Sequence, residues 1–421
     1  MTLQFDQASI TGVILEAKEQ AYKEIGPVDA PPPPSEVQWP VTCEVKQGLE
    51  GAVAAESKIG FVDGLRGMLV YRGFDIFDLC AYSNFEEVSY LLLFGHLPTR
   101  TQLDQFLANL RTRMAILPTT EKLFSNLPIT KLHPMTFLEA AMIGAHAEDV
   151  IAAEGHDPVS DLDACYRLIA QMMTATGMIG RMRSGQKPIP PDPSLSHAAN
   201  LVYCLTGEKP DEITTRIMDI CLILHADHGM NASTFTSMVV SSTLSDMYFS
   251  MSGGLASLKG PLHGGANEAV LYDLEEIGSP ENVDKWFEVA REKKRKIMGM
   301  GHRVYKAYDP RARVLKPLAA LFANRNGAVS KLFATAESLE AVALSAMGRE
   351  KKIFPNVDFY SGLVYKAMGI ETAMFTPLFA VSRVSGWAAR CLEYRQNNRI
   401  FRPRGIYTGP IHSQYVPLAE R

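Results

Sequence analysis

Histidine, aspartate and arginine side chains that could do acid–base work gather in a few glycine-marked segments of this chain. Three of its ten histidines fall between Leu224 and His263, and a fourth follows at His302. In LHADHGMNAST, His225 and His228 stand three apart, which predicts neighbouring places on a helix surface. In GPLHGGANEA, His263 is surrounded by Gly260, Gly264 and Gly265, residues that let a backbone come close to a ligand, and Asn267 is placed to start or cap a helix. His302 again follows a pair of glycines in GMGHRVYKAYDPRAR, with Arg303, Lys306, Arg311 and Arg313 downstream. PNVDFYSG sets Asp358 between a proline turn and a glycine turn, with apolar Val357 and Phe359 on either side. Such surroundings raise a carboxyl pKa and make its anion a better base. Arg383 lies in a largely apolar stretch, FAVSRVSGW, where an unpaired charge is expensive.

Each of these residues also has a plainer reading. His225 on an apolar face is more often a hydrogen-bonded core residue, Asp358 more often a turn former, and Arg383 more often half of a salt bridge. Together they match another need: histidines in glycine loops, an isolated carboxylate and several arginines suit a carbon electrophile carrying several negative charges. A metal site is the rival, with His225, Asp227, His228, His263 and His302 offering ligand types for a metal-dependent hydrolase. Against it, HExxH and a second acidic cluster are both missing. The glycine fingerprints of nucleotide-binding folds and a Gly-x-Ser-x-Gly elbow are also absent. A non-catalytic assembly protein gives no reason for His, Asp and Arg to converge.

The elements that must position these residues read as helices. From Ile76 onward apolar residues recur three and four apart, in FEEVSYLLLFGHLPT, TFLEAAMIGAHAEDVIAAEG and DLDACYRLIAQMMTATGMIGRM, separated by loops bearing Pro and Gly. No alternation of strand and helix predicts a doubly wound sheet, and no fixed period predicts a solenoid. The expected fold class is all-α, with a short N-terminal β-hairpin over SKIGFVDGLRGMLVYRGFDI. Before it, residues 8–25 predict an amphipathic helix and Pro31 to Pro34 an extended, polyproline-like run, so residues 1–40 read as an arm. A length of 421 residues favours two domains, or one domain and a lid.

Bulk properties narrow the class further. A net charge of -4 argues against nucleic acid or an anionic membrane as a general partner. No apolar run approaches the roughly 20 residues that span a bilayer. Neither a basic leader nor an apolar signal core opens the chain, and the six cysteines are scattered without a CxxC pair. The expected location is the cytoplasm. The local charge is less even: Arg291 to Lys316 holds ten Lys or Arg against Glu292 and Asp309, either a solvated face or a landing site for a phosphorylated ligand.

From about Gly48 to Arg421 the chain resembles the citrate synthase family, which includes the 2-methylcitrate synthases. The likeness rests on VDGLRGMLVYRG, FEEVSYLLLFGHLPT, LHADHGMNASTFT, GPLHGGANEAV, GMGHRVYKAYDPRA, PNVDFYSGLVYKAMGI and RIFRPRGIYTG, in that order. It implies a condensation of acetyl-CoA with oxaloacetate followed by hydrolysis to citrate and CoA, or, with propionyl-CoA, the 2-methylcitrate reaction. It also implies roles: His263 donates to the thioester oxygen, Asp358 removes the proton beside it, and His302 polarises the ketone. His228, Arg311 and Arg383 would bind substrate, and Arg402 would reach the active site of a partner in a homodimer. Lys306 would meet the phosphates of CoA, a substrate here, so that no metal and no further cofactor is called for. The implied layout is an arm over 1–40, a large helical domain over 41–265, a smaller lid over 266–365 and a return to the large domain over 366–421. One departure is Gly229, which follows His228 where many relatives carry a polar residue.

Overall fold

The computed structural model describes residues 6–26, 39–149, 158–325, 327–348, 351–411 and 414–421. The run Pro31 to Pro34 lies outside the described residues.

Helix is the dominant element, as the apolar period predicts. The order begins with α1 (Gln7–Ile25), a three-stranded antiparallel sheet of β1 (Gly60–Asp63), β2 (Met68–Tyr71) and β3 (Phe74–Asp75), then α2 (Ile76–Tyr82). It continues through α3 (Phe85–Phe94), α4 (Arg100–Arg111), α5 (Pro118–Ser125), α6 (Pro134–Glu148), α7 (Pro158–Arg183), α8 (His197–Thr206) and α9 (Glu212–His225). Then come α10 (Ala232–Ser242), α11 (Met247–Leu258), α12 (Ala266–Ile277), α13 (Val283–Glu292), α14 (Pro310–Arg325), α15 (Gly327–Ala343), α16 (Val357–Ala367) and α17 (Phe375–Arg395). The predicted hairpin is present as β1–β2, registered Gly60 to Tyr71 and Asp63 to Met68, with β3 added as a third strand.

Caps decide where many helices begin. Asn84, Ser196, Asp211, Asn231 and Asp246 each accept a backbone N–H of the first turn, which satisfies donors that the helix itself cannot. Asn267 does not do so for α12: Gly265 holds the cap position, and Asn267 lies buried inside the first turn.

The long α17 is buried from Phe375 to Cys391 on every side and packs against α3, α7, α9, α10 and α11. A helix apolar all round belongs in the centre of a core, and that placement makes Arg383 and Arg390 on it conspicuous. Helices α12 to α16 pack mainly among themselves. The N-terminal helix is docked on the body. Ile10, Ile14 and Ala21 are buried, Lys18 pairs with Asp78, Tyr22 bonds Asp75, and Glu24 pairs with Arg313 on α14.

Candidate active site

The His228 turn is built first. Helix α9 ends at His225, so His228 stands beyond the helix in a tight turn and does not share a helix face with His225. His225 takes the plainer of its two roles: it is 1% exposed, and its Nδ1 bonds the carbonyl of Cys221 at 2.7 Å. Asp227 turns inward to a bidentate pair with Arg390, at 2.7 and 2.8 Å, with both side chains buried. The Tyr71 hydroxyl from β2 donates to the carbonyl of Asp227 at 2.8 Å. Gly229 adopts φ +61, the left-handed conformation that the turn demands and glycine supplies without strain. At Gly386 a Cβ would lie 2.1 Å from the carbonyl of Ala226, so α17 can press on this turn only through a glycine.

Backbone bonds stitch the His302 and Asp358 loops together. Gly301 N–H donates to Phe354 O at 2.7 Å and Asn356 N–H to Gly299 O at 2.9 Å. The Asn356 amide donates to Gly301 O at 2.8 Å, while its carbonyl oxygen accepts the N–H of Asp358 at 2.9 Å. Asp358 therefore sits in the first turn of α16, capped by Asn356, and not in an isolated turn. Asp309 ties in the third element: it accepts Nε and Nη2 of Arg311, caps α14 through the Arg311 N–H, and accepts the N–H of Val357 at 3.2 Å.

These local devices bring several of the sequence candidates close together. The rings of His228 and His302 lie 5.1 Å apart between centroids. The His263 ring faces Phe379 at 6.1 Å, and the Arg383 guanidinium lies over the same Phe379 ring at 4.7 Å. Arg383 Nε donates to His225 O at 2.6 Å, yet Nη1 and Nη2 are buried without a partner. Arg303, Lys306 and Arg402 are exposed, and Arg402 bonds only the neighbouring Pro403 carbonyl. Of the basic run, Arg291, Arg295, Arg311, Arg313 and Lys316 are occupied in ion pairs within the chain.

Protonation follows from these surroundings. Burial, followed by the Arg311 charge, holds His228 neutral, with its pKa well below the usual histidine range. Burial likewise lowers His263 and His302 to about 4 each. A neutral imidazole donates from one nitrogen only. The backbone N–H groups of Val304 and Tyr305 donate to His302 Nδ1 at 3.0 and 3.3 Å, so Nε2 carries its hydrogen. The Ser233 N–H lies 3.4 Å from His263 Nε2, with the Ser233 hydroxyl at 2.8 Å, which leaves Nδ1 as the donor. Burial pushes the Asp358 carboxyl up to about 7, against the opposing pull of Arg311, and its Oδ1 has no partner. A base near neutrality thus lies within electrostatic reach of Arg311 and of the unsatisfied Arg383 guanidinium, an arrangement suited to removing a weakly acidic C–H proton.

Sequence reasoning missed Ser233, Trp387, Tyr305, Tyr71 and the Asp227–Arg390 pair. Trp387 donates to the Ser233 hydroxyl at 3.2 Å from a position 154 residues later, a link with no local signal. Among the described residues, no three His, Cys, Asp or Glu side chains are grouped to hold a metal ion.

Known proteins share both the sequence and the backbone course. The family model described as citrate synthase, C-terminal domain, matches residues 48–404. A citrate synthase of Deinococcus radiodurans is 44% identical over 382 residues, covering 90% of this chain and 99% of that one. One from Acidithiobacillus ferridurans is 44% identical over 379 residues, 89% of this chain and 98% of its own. Among solved structures, the citrate synthase of Thermoplasma acidophilum in ternary complex with carboxymethyl coenzyme A and oxaloacetate superposes with a TM-score of 0.86, at 36% identity over 90% of this chain and 100% of that one. With a match that begins before β1 and ends beyond α17, the chain belongs to the citrate synthase family, and it is an acyltransferase of that type.

Proposed function

We propose that this enzyme condenses acetyl-CoA with oxaloacetate and hydrolyses the resulting citryl-CoA to citrate and CoA. The observation that carries the reading is Arg383: a guanidinium fork, buried in the middle of an apolar helix, whose two terminal nitrogens lack any partner. Leaving that charge unpaired is costly, and a substrate carboxylate arriving bidentately would satisfy it.

Asp358, as carboxylate, takes a proton from the methyl carbon of the thioester, while His263 Nδ1–H donates to the thioester oxygen as the enol forms. The enol carbon then attacks the ketone carbon of oxaloacetate, and His302 Nε2–H stabilises the oxygen that gains the electron pair. His228, Arg311 and Arg383 bind oxaloacetate, with Arg402 supplied by the second subunit of a homodimer. The exposure of Arg402 in one chain fits a role completed by a partner. Water cleaves the thioester of citryl-CoA and releases the thiol. Proton removal and oxygen stabilisation must coincide, since a lone carboxylate cannot ionise so weak an acid.

Lys306 lines a cavity of about 280 Å³ together with Arg66 and Tyr308, and CoA phosphates would meet Lys306 and Arg66 there, since Arg313 at the same cavity is paired with Glu24. The segment 266–365 acts as a lid over the large domain, and its closure around oxaloacetate completes the acyl-CoA site and excludes water. Five buried, unbridged cysteines favour a reducing compartment such as the cytoplasm.

Thiol release from acetyl-CoA tests the proposal. Release that requires oxaloacetate, survives a chelator and exceeds that from propionyl-CoA supports it. A higher efficiency with propionyl-CoA would make the enzyme a 2-methylcitrate synthase, and loss on chelation would favour metal-dependent chemistry.

A further inference from the structure

Tyr305 is 2% exposed, and its ring stands among three groups assigned to oxaloacetate. It lies 5.0 Å from the His302 ring and 5.3 Å from the His228 ring, with the Arg311 guanidinium 5.9 Å from its centroid. Two separate polar atoms of this residue reach the two histidines. Its backbone N–H donates to His302 Nδ1 at 3.3 Å, and its hydroxyl lies 3.1 Å from His228 Nε2.

We infer that Tyr305 is a positioning residue whose hydroxyl selects the tautomer of His228, so that His228 offers Nδ1–H to the substrate, while its backbone N–H joins that of Val304 in holding His302 to the Nε2–H form. Hydrogen-bond satisfaction decides the tautomer of His228. Among the described residues, His228 Nε2 is the only partner of the Tyr305 hydroxyl. Were Nε2 to carry the hydrogen, the phenol could only accept, and its own O–H would be buried without an acceptor. Donation from the phenol to Nε2 satisfies both groups and sends the imidazole hydrogen to Nδ1. Burial and the carboxylate of Asp309 hold the phenol far above its ordinary pKa, so it stays a donor throughout the working range. Burial and neighbouring positive charge keep His228 neutral, which is the condition for a tautomer to matter. The same residue belongs to the loop that carries His302 and Lys306, and the Lys306 N–H donates to Gly64 O at 2.7 Å in the β1–β2 turn. One tyrosine thereby couples the seating of this loop to the hydrogen-bonding state of the binding site.

The inference rests on reading His228 as an oxaloacetate ligand, but its first test does not use activity. In 15N-histidine NMR of the resting wild-type protein, His228 (assigned by its loss in His228→Gln) should show a protonated Nδ1 and a bare Nε2. In Tyr305→Phe, which keeps the ring, the His228 signals should move toward the Nε2–H form, while His302 keeps its tautomer because backbone donors set it. The oxaloacetate KM should rise about ten-fold, the loss expected for one hydrogen bond, with a smaller change in kcat. A wild-type His228 protonated at Nε2, or a His228 spectrum unmoved by Tyr305→Phe, would overturn the assignment. Inactivity of both proteins toward oxaloacetate would refute the proposed reaction instead and leave the tautomer result standing.

Discussion

Asp309 grips Arg311 through two hydrogen bonds, of 3.0 and 2.7 Å, where neither side chain reaches solvent. The pair does two tasks at once, since the same carboxylate accepts the first N–H of α16 and so reaches the helix that bears Asp358. Replacing Asp309 by Asn would leave a buried guanidinium without its counter-charge. Breaking such a pair costs about 3–5 kcal/mol. Urea unfolding should show a loss of that size together with weaker oxaloacetate binding, and a change below about 1 kcal/mol would refute the role.

Proton removal should follow the ionisation of Asp358. Burial raises its carboxyl to about 7, so the basic form is lost as pH falls through neutrality, while His263 and His302 stay neutral down to about 4. The rate of condensation should therefore rise with pH and level off above about 7. Linkage gives a second sign. The unfolded carboxyl ionises near its ordinary value, the folded one only near 7, so Asp358 lowers stability progressively between those values. Asp358→Asn should raise the melting temperature more at pH 8 than at pH 4. Equal shifts at both pH values would show that burial does not set this group's ionisation.

Glycines and prolines draw notice to the histidines and to Asp358 as candidates, although Asp358 lies in the first turn of α16 and His225 in the core at the end of α9. Arg383 was legible too, since a charge in an apolar helix calls for a partner. What holds these groups was hidden. Arg390 meets Asp227 across 163 positions, Tyr305 meets His228 across 77, and the turn at Gly229 needed the structure to show its handedness. The predicted proximity of His225 and His228 on a helix face failed because α9 stops at His225, one turn too early. Half of the basic run proved to be engaged within the chain, and charge counting alone gives no view of the partners.

The first helix lies outside the residues that match the family model, yet it buries Ile10 and Ile14 completely. Ile14→Ala should cost about 2–5 kcal/mol, from lost burial and the cavity left behind. Thermal melting measures this directly. Condensing activity at 25 °C should persist, because no assigned catalytic group lies on α1. Unchanged melting would show that the helix does not dock in solution.

Arg402 should act across a subunit interface. Arg402→Ala and Asp358→Asn chains, each nearly inactive alone, should regain part of the wild-type activity when mixed dimers form. Mixed dimers verified by native mass that recover none would remove Arg402 from the partner's site.

The proposed condensation depends most directly on Asp358 acting as its base. Asp358→Asn should lower kcat by at least about a thousand-fold, within the range by which general-base catalysis and its coupled oxygen stabilisation accelerate such steps. Calorimetry on the same protein should find oxaloacetate bound within about three-fold of wild type, since the arginines and His228 remain. That combination is the predicted result; near-wild-type turnover by a variant verified free of wild-type enzyme would contradict it.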